Sequence, residues 1–242
     1  MNIALFGSSG QMGGWLMPSL EAYGHVHLSP GFSLEESAQF IEYCKDQYVD
    51  AVINAAGWNN RRCHLQQLDM DVSANHVNGV WPKELAAACW KIDLPFYHIS
   101  TEYVFGKANG QGPFNEDVRP LPDTRYGRSK YMGDVGVLSC GGYVIRASVL
   151  PDHFPYKVAA TNIISSKLRA SEGARRIMEF VTNGIPGKTK PALIHICGER
   201  RSIAEFVKHE LQRTDVEFKP LHDDVERPLD SSLCSIYPQD KL

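Results

Sequence analysis

A chain of 242 residues with 43% hydrophobic and 22% charged residues has the size and make-up of one α/β domain, or of one domain with a small appendage. Its formal net charge of −3 gives no global attraction to nucleic acid, and the densest basic pairs, Arg61-Arg62 and Arg200-Arg201, read as surface. No run approaches the ~20 apolar residues of a membrane-spanning helix, and the first residues lack a basic-then-apolar leader, so a cytoplasmic protein is expected.

Asn2-Ile-Ala-Leu-Phe6 reads as a buried strand. Gly7, Gly10 and Gly13 follow, and a helix should run from there to about Tyr23, bent or shortened by Pro18. His25–Leu28 reads as a second strand. Ser33 with Glu36 forms a capping box for a second helix. Ala51–Asn54 is a third strand, and Gly79–Ile92 is helical. Pro95–Ile99 and Gly142–Arg146 are strands, with a helix between them from Tyr126 to about Val137. Ala170–Asn183 looks helical, and Pro191–Cys197 strand-like. Ser202–Gln212 is a helix with Ser202 as N-cap and Glu205 at its third position. From Glu217 onward the prolines suggest irregular chain.

Strands that are continuous apolar runs and alternate with helices indicate a parallel sheet covered on both faces. The expected architecture is a Rossmann-like, doubly wound α/β sheet. A dinucleotide-binding domain would occupy residues 1–150 and a small, reduced substrate lobe 151–242, with the strand near 193–197 returning to the sheet. The six cysteines, Cys44, Cys63, Cys89, Cys140, Cys197 and Cys234, form no Cys-x-x-Cys pair and match no zinc module. Buried thiols in a reducing compartment are the economical reading, and no metal is expected.

Three motifs carry chemistry. Gly7, Gly10 and Gly13 link the first strand to the first helix. Glycine allows the tight turn and the close approach of a pyrophosphate, which the helix N-terminus would hold; the alternative is a ligand-free glycine turn. Ser100 and Thr101 end a parallel strand, where ligands collect, and either hydroxyl could bond a substrate oxygen or simply cap the strand. Tyr126 and Lys130 lie four residues apart, on one helix face. An ammonium near a phenol favours the phenolate and readies the tyrosine for proton transfer near neutral pH; the alternative is a solvated helix face, since this spacing often arises by chance. Asn54-Ala55-Ala56-Gly57 ends another strand at the same edge with small residues that let a cofactor pack on backbone. Asn78 could bridge backbone and a water near the lysine.

The strings Asn2-Ile-Ala-Leu-Phe-Gly-Ser-Ser-Gly-Gln-Met-Gly13, Val52-Ile-Asn-Ala-Ala56, Ser100-Thr-Glu-Tyr-Val-Phe105, Tyr126-Gly-Arg-Ser-Lys130 and Val144-Ile-Arg146 resemble the extended short-chain dehydrogenase/reductase family, in particular its dTDP-4-dehydrorhamnose reductase branch. Ile194-His-Ile-Cys-Gly198 and Arg227-Pro-Leu-Asp-Ser-Ser-Leu233 echo it more weakly. The resemblance implies Thr101, Tyr126 and Lys130 as the catalytic triad. Tyr126 would protonate a carbonyl oxygen as hydride arrives, Lys130 would hold the nicotinamide ribose, and Thr101 would orient the sugar carbonyl.

By the same resemblance, NADPH or NADH would be held by Gly7, Ser9, Gly10, Gln11, Met12, Gly13, Asn54, Ala55, Ala56, Asn78, Ser100, Tyr126 and Lys130. The substrate, a nucleotide-linked 4-keto-6-deoxyhexose, would meet Trp58, Thr101, Glu102, Tyr103 and Arg146. A homodimer is compatible with this reading; nucleic acid and membrane are not expected partners. Rival readings are an epimerase or reductase acting on another nucleotide sugar, and a non-catalytic NAD(P)-binding regulatory subunit like that of methionine adenosyltransferase.

The chain departs from the family in three places. Glu102 stands where aspartate is usual, with the charge kept and the reach one methylene longer. Leu28-Ser-Pro-Gly-Phe-Ser33 offers neither an acid for an NAD ribose nor a base for an NADP phosphate, which leaves Ser29 as a ribose contact. The stretch Pro151–Pro191 matches the family poorly, so the substrate pocket is expected to be reduced or reshaped.

Overall fold

The structure, a computed structural model, describes residues 1–28, 37–58, 74–185, 190, 192–221, 228–239 and 242. The Ser33–Glu36 capping box, Ser29, Arg61-Arg62, Cys63, Pro191 and Arg227 lie outside the described residues.

The chain begins with strand β1 (Asn2–Phe6), helix α1 (Gly13–Ala22), strand β2 (Val26–Leu28), helix α2 (Ser37–Asp46) and strand β3 (Ala51–Asn54). A π turn (His76–Val80) leads into α3 (Trp81–Trp90), followed by β4 (Phe96–Thr101), α4 (Arg125–Ser139) and β5 (Tyr143–Ala147). Four short strands come next: β6 (Val149–Leu150), β7 (Val158–Ala160), β8 (Ile164–Ser165) and β9 (Leu168–Arg169). Helix α5 (Ala170–Asn183), β10 (Leu193–Ile196), β11 (Arg201–Ser202), α6 (Ile203–His209) and β12 (Glu217–Lys219) complete the order.

Six strands form one parallel sheet in the order β10-β5-β4-β3-β1-β2. The chain steps from β1 outward to β2, then returns to place β3 on the other side of β1. That reversal creates a switch point, where the strand ends open into a crevice.

The interior strands are buried along their whole length, β3 and β4 without exception, as their unbroken apolar runs require. Leu16 and Leu20 of α1 and Ile177, Met178 and Val181 of α5 pack on one face of the sheet. Phe40 of α2, Leu85 and Cys89 of α3, and Val137 of α4 pack on the other. In α5 the buried positions recur at helical spacing, from Gly173 and Ala174 through Ile177 and Met178 to Val181. Burial of each large apolar side chain contributes about 1.5–3 kcal/mol. A smaller core gathers Phe154, Ile163, Ile203, Phe206 and Val216 beyond the sheet.

Three sequence expectations change. Pro18 does not end α1, which continues to Ala22; the carbonyl it cannot bond belongs to Gly14, an exposed residue. The helical stretch expected from Gly79 is already present at Ala74 and passes through a π turn at His76–Val80. The segment after Glu217 is not wholly irregular, because Glu217–Lys219 pairs in parallel with Val158–Ala160. The capping box at Ser202 and Glu205 forms as expected, each side chain bonding the other's backbone. The five described cysteines are thiols; burial pushes Cys44 and Cys197 up to about 12.

Arg146 of β5 is 2% exposed and projects between the sheet and α4. Its Nε donates to Asp134 Oδ2 at 2.9 Å, and its Nη1 lies 3.4 Å from His195 Nε2. His195 Nδ1 lies 3.2 Å from the Phe114 carbonyl and 3.0 Å from that of Cys234, so Nδ1 carries the proton and Nε2 accepts from the guanidinium. Burial holds His195 down to about 4. Arg146 to Met removes the partner of a fully buried carboxylate and is expected to cost about 3–5 kcal/mol in urea unfolding. Adding Asp134 to Leu should recover most of that loss.

Candidate active site

The site is assembled at the switch point. Gly7 follows β1 with φ +79°, a conformation that side chains with a Cβ rarely adopt. A Cβ there would lie 2.5 Å from the Ala56 nitrogen, so the glycine turn and the end of β3 touch backbone to backbone. Gly10 N–H donates to Gly7 O at 2.9 Å, and a Cβ on Gly13 would sit 2.0 Å from that same carbonyl. The turn therefore folds tightly enough to start α1 directly. The first turn of α1 holds no acidic residue, and no side chain caps it. Its N–H groups and positive dipole end suit an anion. Ser9 and Gln11 are exposed beside it, while Met12 packs into the core.

Across the switch point, Ala55 N–H donates to Phe6 O at 3.0 Å. Asn54 is fully buried: Oδ1 accepts from Ala56 N–H at 3.1 Å, and Nδ2 lies 3.2 Å from His98 Nδ1. The Asn54 side chain is thus engaged inside the fold. Asn78, from the π turn, clasps Trp58 on both backbone groups, at 2.8 and 2.9 Å, and donates to Ser129 Oγ at 2.9 Å. It fixes the chain after β3 against α4.

Helix α4 starts at a Thr124 N-cap whose Oγ1 accepts from Gly127 N–H at 2.9 Å. Gly127 is required by closeness, since a Cβ would stand 2.2 Å from Tyr103 O. Tyr126 is half-buried in the first turn, and the Tyr103 ring meets its ring edge-on at 5.6 Å. Lys130, one turn on, is 4% exposed. Its Nζ donates to the Ile99 carbonyl at 2.8 Å and lies 3.0 Å from His98 Nε2. Burial pulls Lys130 down to about 8, although Asp134 on the next turn pulls the other way. Thr101 ends β4 and accepts from Tyr103 N–H at 3.3 Å, which leaves its own hydroxyl proton to donate. Thr101, Tyr103, Tyr126 and Lys130 therefore converge where β4 meets the start of α4.

Two expected substrate residues sit elsewhere. Glu102 is 1% exposed, and Lys167 donates to its Oε1. A carboxylate shut away from water needs a cation, and the extra methylene ends on one. Arg146 is committed to Asp134 and His195. Ser100 is buried, and its Oγ has no hydrogen-bond partner among the described residues. Sequence reasoning missed His98, Asp134 and Lys167. For His98 a signal existed: a polar residue inside a strand buried on both faces demands a polar partner.

The model of the RmlD substrate binding domain family matches residues 1–177. The dTDP-4-dehydrorhamnose reductase of Mycolicibacterium smegmatis is 32% identical over 151 residues, covering 60% of this chain and 45% of that one. The probable low-salt glycan biosynthesis reductase Agl14 of Haloferax volcanii is 31% identical over 144 residues, covering 54% and 47%. The chain spans about half the length of these relatives. Among solved structures, the dTDP-4-dehydrorhamnose reductase of Bacillus anthracis in complex with NADP superposes with a TM-score of 0.78 at 18% identity, covering 96% of this chain and 90% of that one, which shows a shared fold. With a family model spanning five of the six strands of the sheet, the glycine turn and the Tyr126–Lys130 helix, the chain belongs to the RmlD substrate binding domain family.

Proposed function

We propose that the chain is an NAD(P)H-dependent reductase of the 4-keto group of a nucleotide-linked 6-deoxyhexose, working in a reducing compartment such as the cytoplasm. The observation that carries this reading is the convergence, at one switch point, of an uncapped glycine-turn helix with Tyr126 and a buried Lys130. The names of the two reductase relatives and the NADP held by a protein of the same fold support the substrate and cofactor classes.

The residues present fit a dinucleotide. The N-terminus of α1 would hold the pyrophosphate. Gly57 is exposed, and among the described residues a Cβ there would meet only Asn78 Oδ1, at 3.0 Å, and Lys130 Nζ, at 4.0 Å. Gly57 and Lys130 would hold the nicotinamide ribose. When bound and reduced, the cofactor supplies the hydride. Thr101 donates its hydroxyl proton to the substrate carbonyl and orients it. Tyr126 gives its phenolic proton to the same oxygen as negative charge develops there. Lys130, as ammonium, stabilises the phenolate left behind. Thiols rather than disulfides, three of them buried, suit a reducing compartment.

Oxidation of NADPH in the presence of dTDP-4-keto-6-deoxyhexose tests this reading. Tyr126 to Phe should lower kcat by about 10²–10⁴-fold with cofactor binding retained. Absence of turnover above that variant, with NADPH bound, would overturn the assignment. Gly13 to Ala forces the glycine turn open and should weaken NADPH binding about tenfold or more in a titration calorimeter.

A further inference from the structure

Thr101 is held in place by the chain that follows it. Its backbone is extended, with φ −149° and ψ 157°, and its Oγ1 accepts from Tyr103 N–H at 3.3 Å. Between the two lies Glu102, the first residue of a short 3-10 turn (Glu102–Val104) closed by Phe105 N–H on the Glu102 carbonyl at 3.0 Å. A single turn has little stability of its own, so its geometry is set by what it packs against. Val104 and Phe105 enter the small core with Phe114 and Leu233. Tyr103 O lies close against Gly127 of α4. The Glu102 side chain meets Lys167, which donates to Oε1, while Oε2 has no hydrogen-bond partner among the described residues.

Lys167 is itself anchored. It stands in the link between β8 and β9, at the carboxyl ends of the sheet strands, where Thr101 also lies. Leu168 N–H donates to Ser148 O after β5 at 2.9 Å, and Gly198 N–H after β10 donates to Ser166 O at 2.8 Å. A Cβ on Gly198 would stand 2.6 Å from Lys167 O, so the two backbones touch. Leu233 N–H donates to Ser166 Oγ at 2.8 Å, and β8 pairs with β11. The ammonium that reaches Glu102 is therefore delivered by the C-terminal part of the chain.

We infer that Glu102 and Lys167 are positioning residues for Thr101: the lysine fixes the turn that aims the Thr101 hydroxyl. This deepens the proposed reductase reading, in which Thr101 orients the substrate carbonyl, and rests on it. A buried ion pair adds little or no net stability over a well-packed apolar pair. What it adds is direction, because the carboxylate must stay where its cation is. Glu102 is 1% exposed and Lys167 is 7% exposed. Without the lysine, the cheapest course for a buried carboxylate is to swing toward water. The three-residue turn moves with it, and Tyr103 N–H leaves Thr101 Oγ1.

Amide exchange in the full chain reads the turn without turnover. In Lys167→Met, the Tyr103 and Phe105 amides should exchange about tenfold faster or more, while Val52, bonded to the Pro95 carbonyl inside the sheet, keeps its wild-type rate. The paired variant Glu102→Met with Lys167→Met leaves no lone charge and should keep the wild-type urea midpoint. Its flexible thioethers give no direction, so the same two amides should still exchange faster. With NADPH and dTDP-4-keto-6-deoxyhexose, the paired variant should lose about tenfold or more in kcat at unchanged KM for NADPH. Placed in a Thr101→Ala background, the same pair should change kcat by less than about twofold, since no hydroxyl remains to be aimed. Wild-type exchange at Tyr103 in the paired variant, or a kcat loss that persists in full on Thr101→Ala, would overturn the inference. Wild-type protein without turnover refutes the reductase reading alone, because exchange still reports whether Lys167 holds the turn.

Discussion

Helix α4 meets the sheet through hydrogen-bonding groups as well as through methyl groups. On one side of the seam stand Lys130 and Asp134; on the other stand His98, Arg146 and, behind them, Asn54 and His195. Hydrophobic packing tolerates small slides of a helix across a sheet. Directional bonds in a low-dielectric interior do not, because a slide strands donors and charges without partners. Tyr126 sits on this helix one turn from Lys130, so its position is set from below. The candidate site depends on a polar interior.

That interior also explains what could and could not be read from the chain. The glycine spacing was legible because a tight turn into a helix has few chemical solutions, and the structure shows Gly7 and Gly13 at backbone contact. The sheet was legible from its apolar runs. The helix bearing Tyr126 and Lys130 was legible from spacing, since helical neighbours follow from geometry alone. The pairing of Arg146 with Asp134 was not legible, because the partners come from different elements. A strand-end arginine looks the same in sequence whether it faces a ligand or a buried carboxylate. The same holds for Glu102: its partner Lys167 is 65 residues away. The resemblance points both side chains toward a substrate, whereas burial pairs each with an opposite charge inside the fold.

The C-terminal half shows a second use of distant partners. Asp230 binds Arg200 through Oδ2 and Ser232 through Oδ1, and the backbone of 112–114 pairs with that of 230–234. Leu233 and Phe114 share a small core with Phe105, just after the Thr101 turn. Residues from the end of the chain thus brace the segment that follows β4. The late strings Ile194–Gly198 and Arg227–Leu233 resemble the family only weakly, yet their described residues join the sheet edge and this brace.

The π turn at His76–Val80 carries a consequence of its own. Such a turn holds one residue more than an ordinary helical turn. Each helical residue advances the side-chain direction by about 100°, so removing that extra residue would swing Asn78 away from Trp58 and Ser129 together. The stretch behaves as a counted spacer: its length, more than its composition, aims the amide that joins the chain after β3 to α4. Single-residue deletions in this turn should therefore be far less tolerable than substitutions at its exposed positions, such as His76.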